Sequence, residues 1–505
     1  YILDFWRFSL YHSRSLFFLF FVTYLLYSYK IFHLVEYQIS EDDPVRKLSK
    51  ILEAMDFSKL MQVFSHKTKV HPIRMFAIIL YAYSRGLYST RDIEIACYEN
   101  IKFRFLLQDS EIPDHSTISR FLTKIEDLLP ELFEQFFKLI FEIENISTDT
   151  IYIDGTKIEA YASKYSFVWR GSIEKYSLRL DEKIEILISD FNSDFNTNYE
   201  SFLEICSYLS NLNIKFVKGR GHKKSKEQKY FEKCMEYLEK YIKYSEHFIN
   251  LRGRKSYSKT DIDATFMRMK DDYMKNGQLK PGYNLQIGVI SEYICAYDIF
   301  PNPSDSKTLI PFLEKIKTLN LNIKNVIADA GYESASNYEY LEKAGYNSYI
   351  KPIYFEKSKT RKFKNDLNRV ENLIYHANTN KLFRKDGLEL NFLYSKRKET
   401  IQCFFNPETE RIVKYNAKFR VLSDKSKENI SSDYGKQLRL NRSIQVEGAF
   451  AVLKENMKLR KLKVRGKISV LREICLFCVG YNFNKYICRS SRNCKGTTLH
   501  SLKAV

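Results

Sequence analysis

Apolar positions recur at helical spacing through the first third of the chain. Between Tyr37 and about Ser147, the segments VRKLSKILEAMDFSKLM, HPIRMFAIILYAYSRGLY, TRDIEIACYEN and STISRFLTKIEDLLPELFEQFFKLIFEI each carry such a stripe, which predicts short amphipathic helices. Asp114 and Ser116 stand before ISRF, and Ser89 and Thr90 before DIEIA, as expected caps. Arg74, Arg85, Arg91, Arg104 and Arg120 are expected to face solvent. The period then changes. Ile151–Ala160 (IYIDGTKIEA) predicts a strand with an Asp near its end and a Gly turn beside it, and Asn325–Tyr332 (NVIADAGY) repeats that shape. Gly282–Ile290 and Tyr293–Phe300 alternate as an antiparallel hairpin joined by Ser291 and Glu292. SDSKTLIPFLEKIKTL predicts a helix capped near Ser304, SASNYEYLEKAG a second helix, and Asn347–Pro352 a last strand.

Two stretches interrupt this order. Ser172 to about Tyr257 predicts two long helices, 174–212 and 226–251, joined by the basic turn KGRGHKKSK, from Lys218 to Lys226. Residues 353–434 begin with a basic run and continue as hairpins (LELNFLY, TIQCFFN, RIVKYN), a length that implies a subdomain rather than a loop. Beyond it, in RSIQVEGAFAVLKEN, Ile444, Phe450, Val452, Leu453 and Met457 are spaced as on a partly buried helix that carries Glu447.

Asp154 and Asp329 on strands and Glu447 on a helix are hard oxygen donors of the kind that magnesium or manganese takes. Taken alone, an Asp-Gly pair is ordinarily a plain turn and a helical Glu is ordinarily solvated. The setting gives the three their weight. The strings IDGTKIEAYASKYSFVWR (from Ile153), SKTDIDATFMRMK (from Ser258), GQLKPGYNLQI (from Gly277), ADAGYES (from Ala328) and NRSIQVEGAFAVLKEN (from Asn441) are similar, in order, to the motifs of DDE transposases from bacterial insertion sequences. The resemblance runs roughly from Tyr37 to Lys485.

That resemblance implies an α/β fold: a ribonuclease-H-like mixed-sheet core with an all-α N-terminal domain, a helical hairpin insertion and a β-rich insertion. The corresponding partition is 36–147 for the helical DNA-binding domain, and 148–171, 258–352 and 435–485 for the core. The helical hairpin is 172–257, the basic β-rich insertion 353–434, and a basic tail 486–505. In such a core the first and fourth strands are neighbours, which would unite Asp154 and Asp329. The family implies Asp154, Asp329 and Glu447 as catalytic, metal-binding residues for two Mg²⁺ (or Mn²⁺) ions. It also implies DNA cleavage and strand transfer at terminal inverted repeats, a homodimer in the synaptic complex, and double-stranded DNA, both element ends and target, as partner. Lys454 lies seven residues after Glu447, two helical turns on, where relatives contact DNA. Arg442 falls close to the family's upstream Arg, whereas the upstream Tyr is missing from its expected place. Lys458, Arg460, Lys461 and Arg465 extend a basic run suited to phosphates. A catalytically inactive, transposase-derived DNA-binding protein is the alternative, and the presence of all three carboxylates argues against it.

Composition agrees with a polyanionic partner. The 505 residues carry a formal net charge of +20, which points first to nucleic acid, and 44% hydrophobic residues suffice for two or three packed domains. Nine cysteines scattered over this length do not resemble a secreted disulfide framework. Cys475 and Cys478 lie in an apolar helical run and are expected to be buried thiols, with Cys488 and Cys494 offering only a weak zinc alternative. Ser15–Tyr29 is apolar but short for a membrane span, so residues 1–35 are expected to be an extension outside the fold. No membrane partner is expected, and the cytoplasm, at the nucleoid, is the expected location.

Overall fold

The computed structural model describes residues 38–501 apart from 65, 67, 220–221, 270–276 and 398–399, so the extension 1–35 and the centre of the basic turn lie outside the described residues. The N-terminal stripes become helices from Pro44–Glu53 to Leu129–Glu144. Asp114 caps the helix His115–Lys124, accepting from the Thr117 N–H, whereas Ser116 sits inside the helix and donates to Asp114 at 2.8 Å. Ser89 takes the capping backbone conformation without a side-chain bond. Four of the five arginines are exposed; Arg74 is the exception, half-buried, and its guanidinium pKa is lowered by desolvation.

Helix Pro72–Ser84 is apolar nearly all round and is accordingly buried on nearly every side. It packs against the C-terminal helix Lys467–Ser491, where a Cβ on Gly480 would stand 3.0 Å from the Tyr83 carbonyl carbon. The glycine is what lets the two backbones approach. Cys475 and Cys478 are buried in this helix, while Cys488 and Cys494 are exposed, so the four do not gather into a zinc site. Among the described residues no helix is long and apolar enough to cross a membrane.

The central sheet explains the change of period. Its strands are β1 (Thr150–Glu159), β4 (Thr265–Arg268), β5 (Leu279–Ile290), β6 (Tyr293–Phe300), β7 (Asn325–Ala328) and β8 (Asn347–Ile350); β2 (Phe167–Trp169) and β3 (Ser256–Ser258) form a separate pair. The order is β4-β5-β1-β7-β8, with β6 also paired to β5. β5 is antiparallel to β1, β4 and β6, while β1, β7 and β8 are parallel. Ser291 and Glu292 both have positive φ, the geometry a two-residue hairpin turn needs. Asn482, from the C-terminal helix, bonds both the N–H and the C=O of Ile294 on the edge strand β6.

Three local expectations change. The first long helix ends at Phe195, because Asn196 is left-handed and Asn192 turns back to bond Tyr199, and a new helix, Phe202–Asn211, starts at the Ser201–Glu204 capping box. With Lys226–Leu251 this makes three helices in place of two. Ser304 makes no side-chain cap: a 3₁₀ turn, Asp305–Lys307, precedes the helix Leu309–Lys317. Within 353–434, β9 (Ile374–His376), β10 (Lys381–Phe383), β11 (Glu389–Lys396), β12 (Ile401–Asn406) and β13 (Arg411–Tyr415) form a five-stranded antiparallel sheet over its own small core. The helix Ala417–Ser431 instead covers β8, with Ser426 Oγ accepting from Ile350 N–H and donating to Ile350 C=O.

Candidate active site

β1 and β7 pair with Ile153 opposite Ala328, so Asp154, the next residue of β1, and Asp329, the residue that follows β7, come at the same level of the sheet. The two glycines differ. β1 runs straight through Gly155 to Glu159, so the turn expected after Asp154 does not exist. A Cβ at Gly155 would collide with the Gln286 side chain and come within 3.0 Å of Asp305 Oδ1. β7 does end, and Asp329 caps the 3₁₀ turn Ala330–Tyr332 through the Ala330 N–H at 2.7 Å.

Glu447 arrives on a helix that is not uniformly α. Asp433–Arg442 leads into a π turn, Ser443–Glu447, then α-helical Gly448–Ala451, then a second π turn, Val452–Asn456. In an α-helix, residues five apart are about 140° from one another. The wider π turn, bonded i to i+5, stacks them, and such turns are frequent at functional sites. Arg442 thereby reaches both carboxylates: Nη1 donates to Asp154 Oδ2 at 2.9 Å and Nη2 to Glu447 Oε1 at 3.1 Å. The Arg442 and Asp154 side chains are 14% exposed and Glu447 is 60% exposed, so the bridge runs from the sheet out to solvent.

Lys454 sits inside the second π turn, Val452–Asn456, so the helix between Glu447 and Lys454 is not α throughout. Lys458 has a left-handed backbone and Arg460 pairs with Glu455. Lys461 faces Glu159 at 3.6 Å, and Arg465 Nε donates to Tyr161 C=O at 2.8 Å. These two therefore line the far end of β1, five or more residues and at least about 17 Å along the strand from Asp154.

Among the described residues no three His, Cys, Asp or Glu side chains lie close enough together to hold a metal ion. Arg442 stands between two of the carboxylates, and two carboxylates converging on one cationic group is the donor chemistry a divalent ion needs.

Two family models match the chain. Residues 33–124 match the "Transposase domain (DUF772)" and residues 254–483 the "Transposase DDE domain", which includes Asp329 and Glu447. The chain belongs to the DDE transposases of insertion sequences. No curated protein and no solved structure matches this transposase.

Beside the candidate site the transposase also has a buried polar network that the sequence patterns did not single out. Asp305 Oδ1 accepts from Asn284 Nδ2 at 2.8 Å and Gln286 Nε2 at 3.0 Å, while Tyr332 OH donates to Gln286 Oε1. Asn284, Gln286 and Tyr332 are at most 1% exposed, and burial, reinforced by the Asp154 and Asp305 charges, drives the Tyr332 phenol well above its usual pKa. This network braces Gly155 and Gly331, the glycines beside the two aspartates. The signal was present: Asn284 and Gln286 are two buried amides on one face of the mainly apolar stretch from Tyr283 to Ile290.

Proposed function

We propose that this transposase catalyses metal-dependent DNA strand cleavage and strand transfer at the terminal inverted repeats of its insertion sequence. The observation that carries the reading is a pair of links: strand register brings Asp154 and Asp329 to the same level of the sheet, and Arg442 bridges Asp154 and Glu447. The strand order β6-β5-β1-β7-β8 with β5 antiparallel supports a ribonuclease-H-like core. Asp154, Asp329 and Glu447 would hold two Mg²⁺ (or Mn²⁺) ions, which when bound activate the attacking oxygen and stabilise the leaving one. The chain's own residues do the positioning. The paired strands hold two carboxylates rigidly, the Asp305–Gln286–Tyr332 network holds the turns beside them, and Arg442 supplies positive charge for a phosphate.

We assign 36–147 to binding of the element's ends and Lys454, Lys458, Arg460, Lys461 and Arg465 to the DNA backbone. The working form is a homodimer in the synaptic complex, acting in the cytoplasm at the nucleoid. Cleavage of a labelled duplex carrying the flanking inverted repeats, with Mg²⁺ or Mn²⁺, tests the reading. Nicking at the repeat boundary that is lost with EDTA and in Asp154→Ala and Glu447→Ala is expected. Tight repeat binding without cleavage in any version would instead favour an inactive DNA-binding protein.

A further inference from the structure

A cavity of about 330 Å³ opens beside Asp329, and its charged lining is otherwise basic: Lys351 from the end of β8, and Lys436, Arg439 and Arg442 from one helix. The three helical cations are three residues apart, so they advance about 4.5 Å per step along the axis. The row ends at Arg442, which touches Asp154 and Glu447. A row of three cations leading to the carboxylates fits a chain of phosphates.

Two of these cations, Lys351 and Arg439, are held in place by Glu356, while Lys436 pairs with Asp433 at 2.8 Å. Glu356 accepts from Lys359 at 2.9 Å and Lys351 at 3.0 Å and faces Arg439 at 3.8 Å. Lys359 and Arg439 also flank the Phe355 ring at 4.7 and 4.8 Å. The two lysines hold the Glu356 carboxyl down to about 2, so it is ionised at any pH at which DNA is handled. Its side chain is 54% exposed, which leaves it free to give up its place.

We propose that this cavity is the track for the backbone of one DNA strand entering the site, with Lys351, Lys436 and Arg439 binding phosphates and Glu356 acting as the built-in competitor that the phosphates displace from Lys351 and Arg439. The inference rests on the transposase reading, and it makes predictions of opposite sign for neighbouring residues. A cation that contacts a phosphate contributes about 0.9 to the slope of log affinity against log salt, which at about 0.15 M salt is about five-fold in affinity.

The test is salt-dependent binding of a labelled duplex carrying one element end, with cleavage by the same wild-type preparation as reference and thermal melting to confirm folding. Lys436→Gln and Arg439→Gln are each expected to weaken binding about five-fold and to lower the salt slope by about 0.9. Glu356→Gln is expected to tighten binding by a similar factor, an outcome that mere loss of local packing would not produce. Should Arg439→Gln fail to fold, Lys436→Gln, on a half-exposed side chain, carries the test with Glu356→Gln. A wild-type protein that cleaves while these variants bind with unchanged affinity and slope, or a Glu356→Gln that binds more weakly, overturns the track and leaves the transposase reading standing. A wild type that neither binds nor cleaves overturns both.

Discussion

Asp154-Gly155 and Asp386-Gly387 are the same dipeptide in the two larger sheets of this protein, and they do opposite things. In the five-stranded sheet, Gly387 has φ +87°, nothing lies within 4 Å of where its Cβ would be, and the pair makes the turn between β10 and β11. In the central sheet, Gly155 stays in an extended strand and is glycine because Gln286 and Asp305 fill the space beside it. One glycine answers a local need of the backbone; the other answers a neighbour brought from 131 positions away by β5. The two sheets differ in the same way. The central sheet is covered on both faces and buries amides that serve the site, whereas β11 alternates little and leaves Phe392, Leu393 and Tyr394 partly in solvent.

The comparison breaks most visibly at the carboxylate. Asp154→Asn should lower cleavage by on the order of 10³-fold or more, since a ligand of the proposed ions supplies several kcal/mol of transition-state stabilisation. DNA binding, measured on the same preparation, should change little; loss of binding in parallel would show that the aspartate is structural. Gln286→Leu is next. It leaves the buried Tyr332 hydroxyl without its acceptor, at about 1–3 kcal/mol in stability, and loosens the bracing of both aspartates, at about 10–100-fold in cleavage. Its counterpart in the other sheet is Asn406→Ala, which removes bonds to Asn368, Glu408 and Thr409 and should cost stability with cleavage intact.

The glycines give a sharper, smaller contrast. Gly155→Ala should cost about 1–3 kcal/mol in urea unfolding through the clash with Gln286, and cleavage with it. Gly387→Ala should cost about 1–2 kcal/mol through the left-handed backbone alone, and cleavage should survive. Equal losses of cleavage in the two would remove the distinction. The smallest effect is kinetic. Cys295 and Cys403 are both fully buried, one in each sheet, but Cys403 lies in the sheet whose separate core is small. Under native conditions Cys403 should react with a thiol reagent before Cys295, because the smaller unit opens at lower free energy.

Much of this architecture was legible. Helical stripes gave the N-terminal helices, alternation gave the β5–β6 hairpin, and the Asp-ended strand shape picked out β1 and β7. Those are local properties, expressed within one turn or one strand by side-chain spacing. What was not legible depended on particular side-chain contacts, some between near neighbours and some between distant segments. The break at Asn196 turns on a side chain reaching Tyr199, and the bridge through Arg442 on a π turn that moves a residue five positions from Glu447 onto its side. The buried amides of β5 showed in the pattern, yet their purpose needed Asp305 and Tyr332 from two other segments.

By itself, then, the sequence determined the element types, the three carboxylates as candidates and the basic character of the partner surface, because periodicity, residue chemistry and net charge are carried by the chain whatever its fold. Which carboxylates meet, that a guanidinium stands between two of them, and that Gly155 is a space rather than a turn all follow from the folded arrangement. Those outcomes depend on strand register and helix packing, where side chains far apart in sequence compete for the same few ångströms.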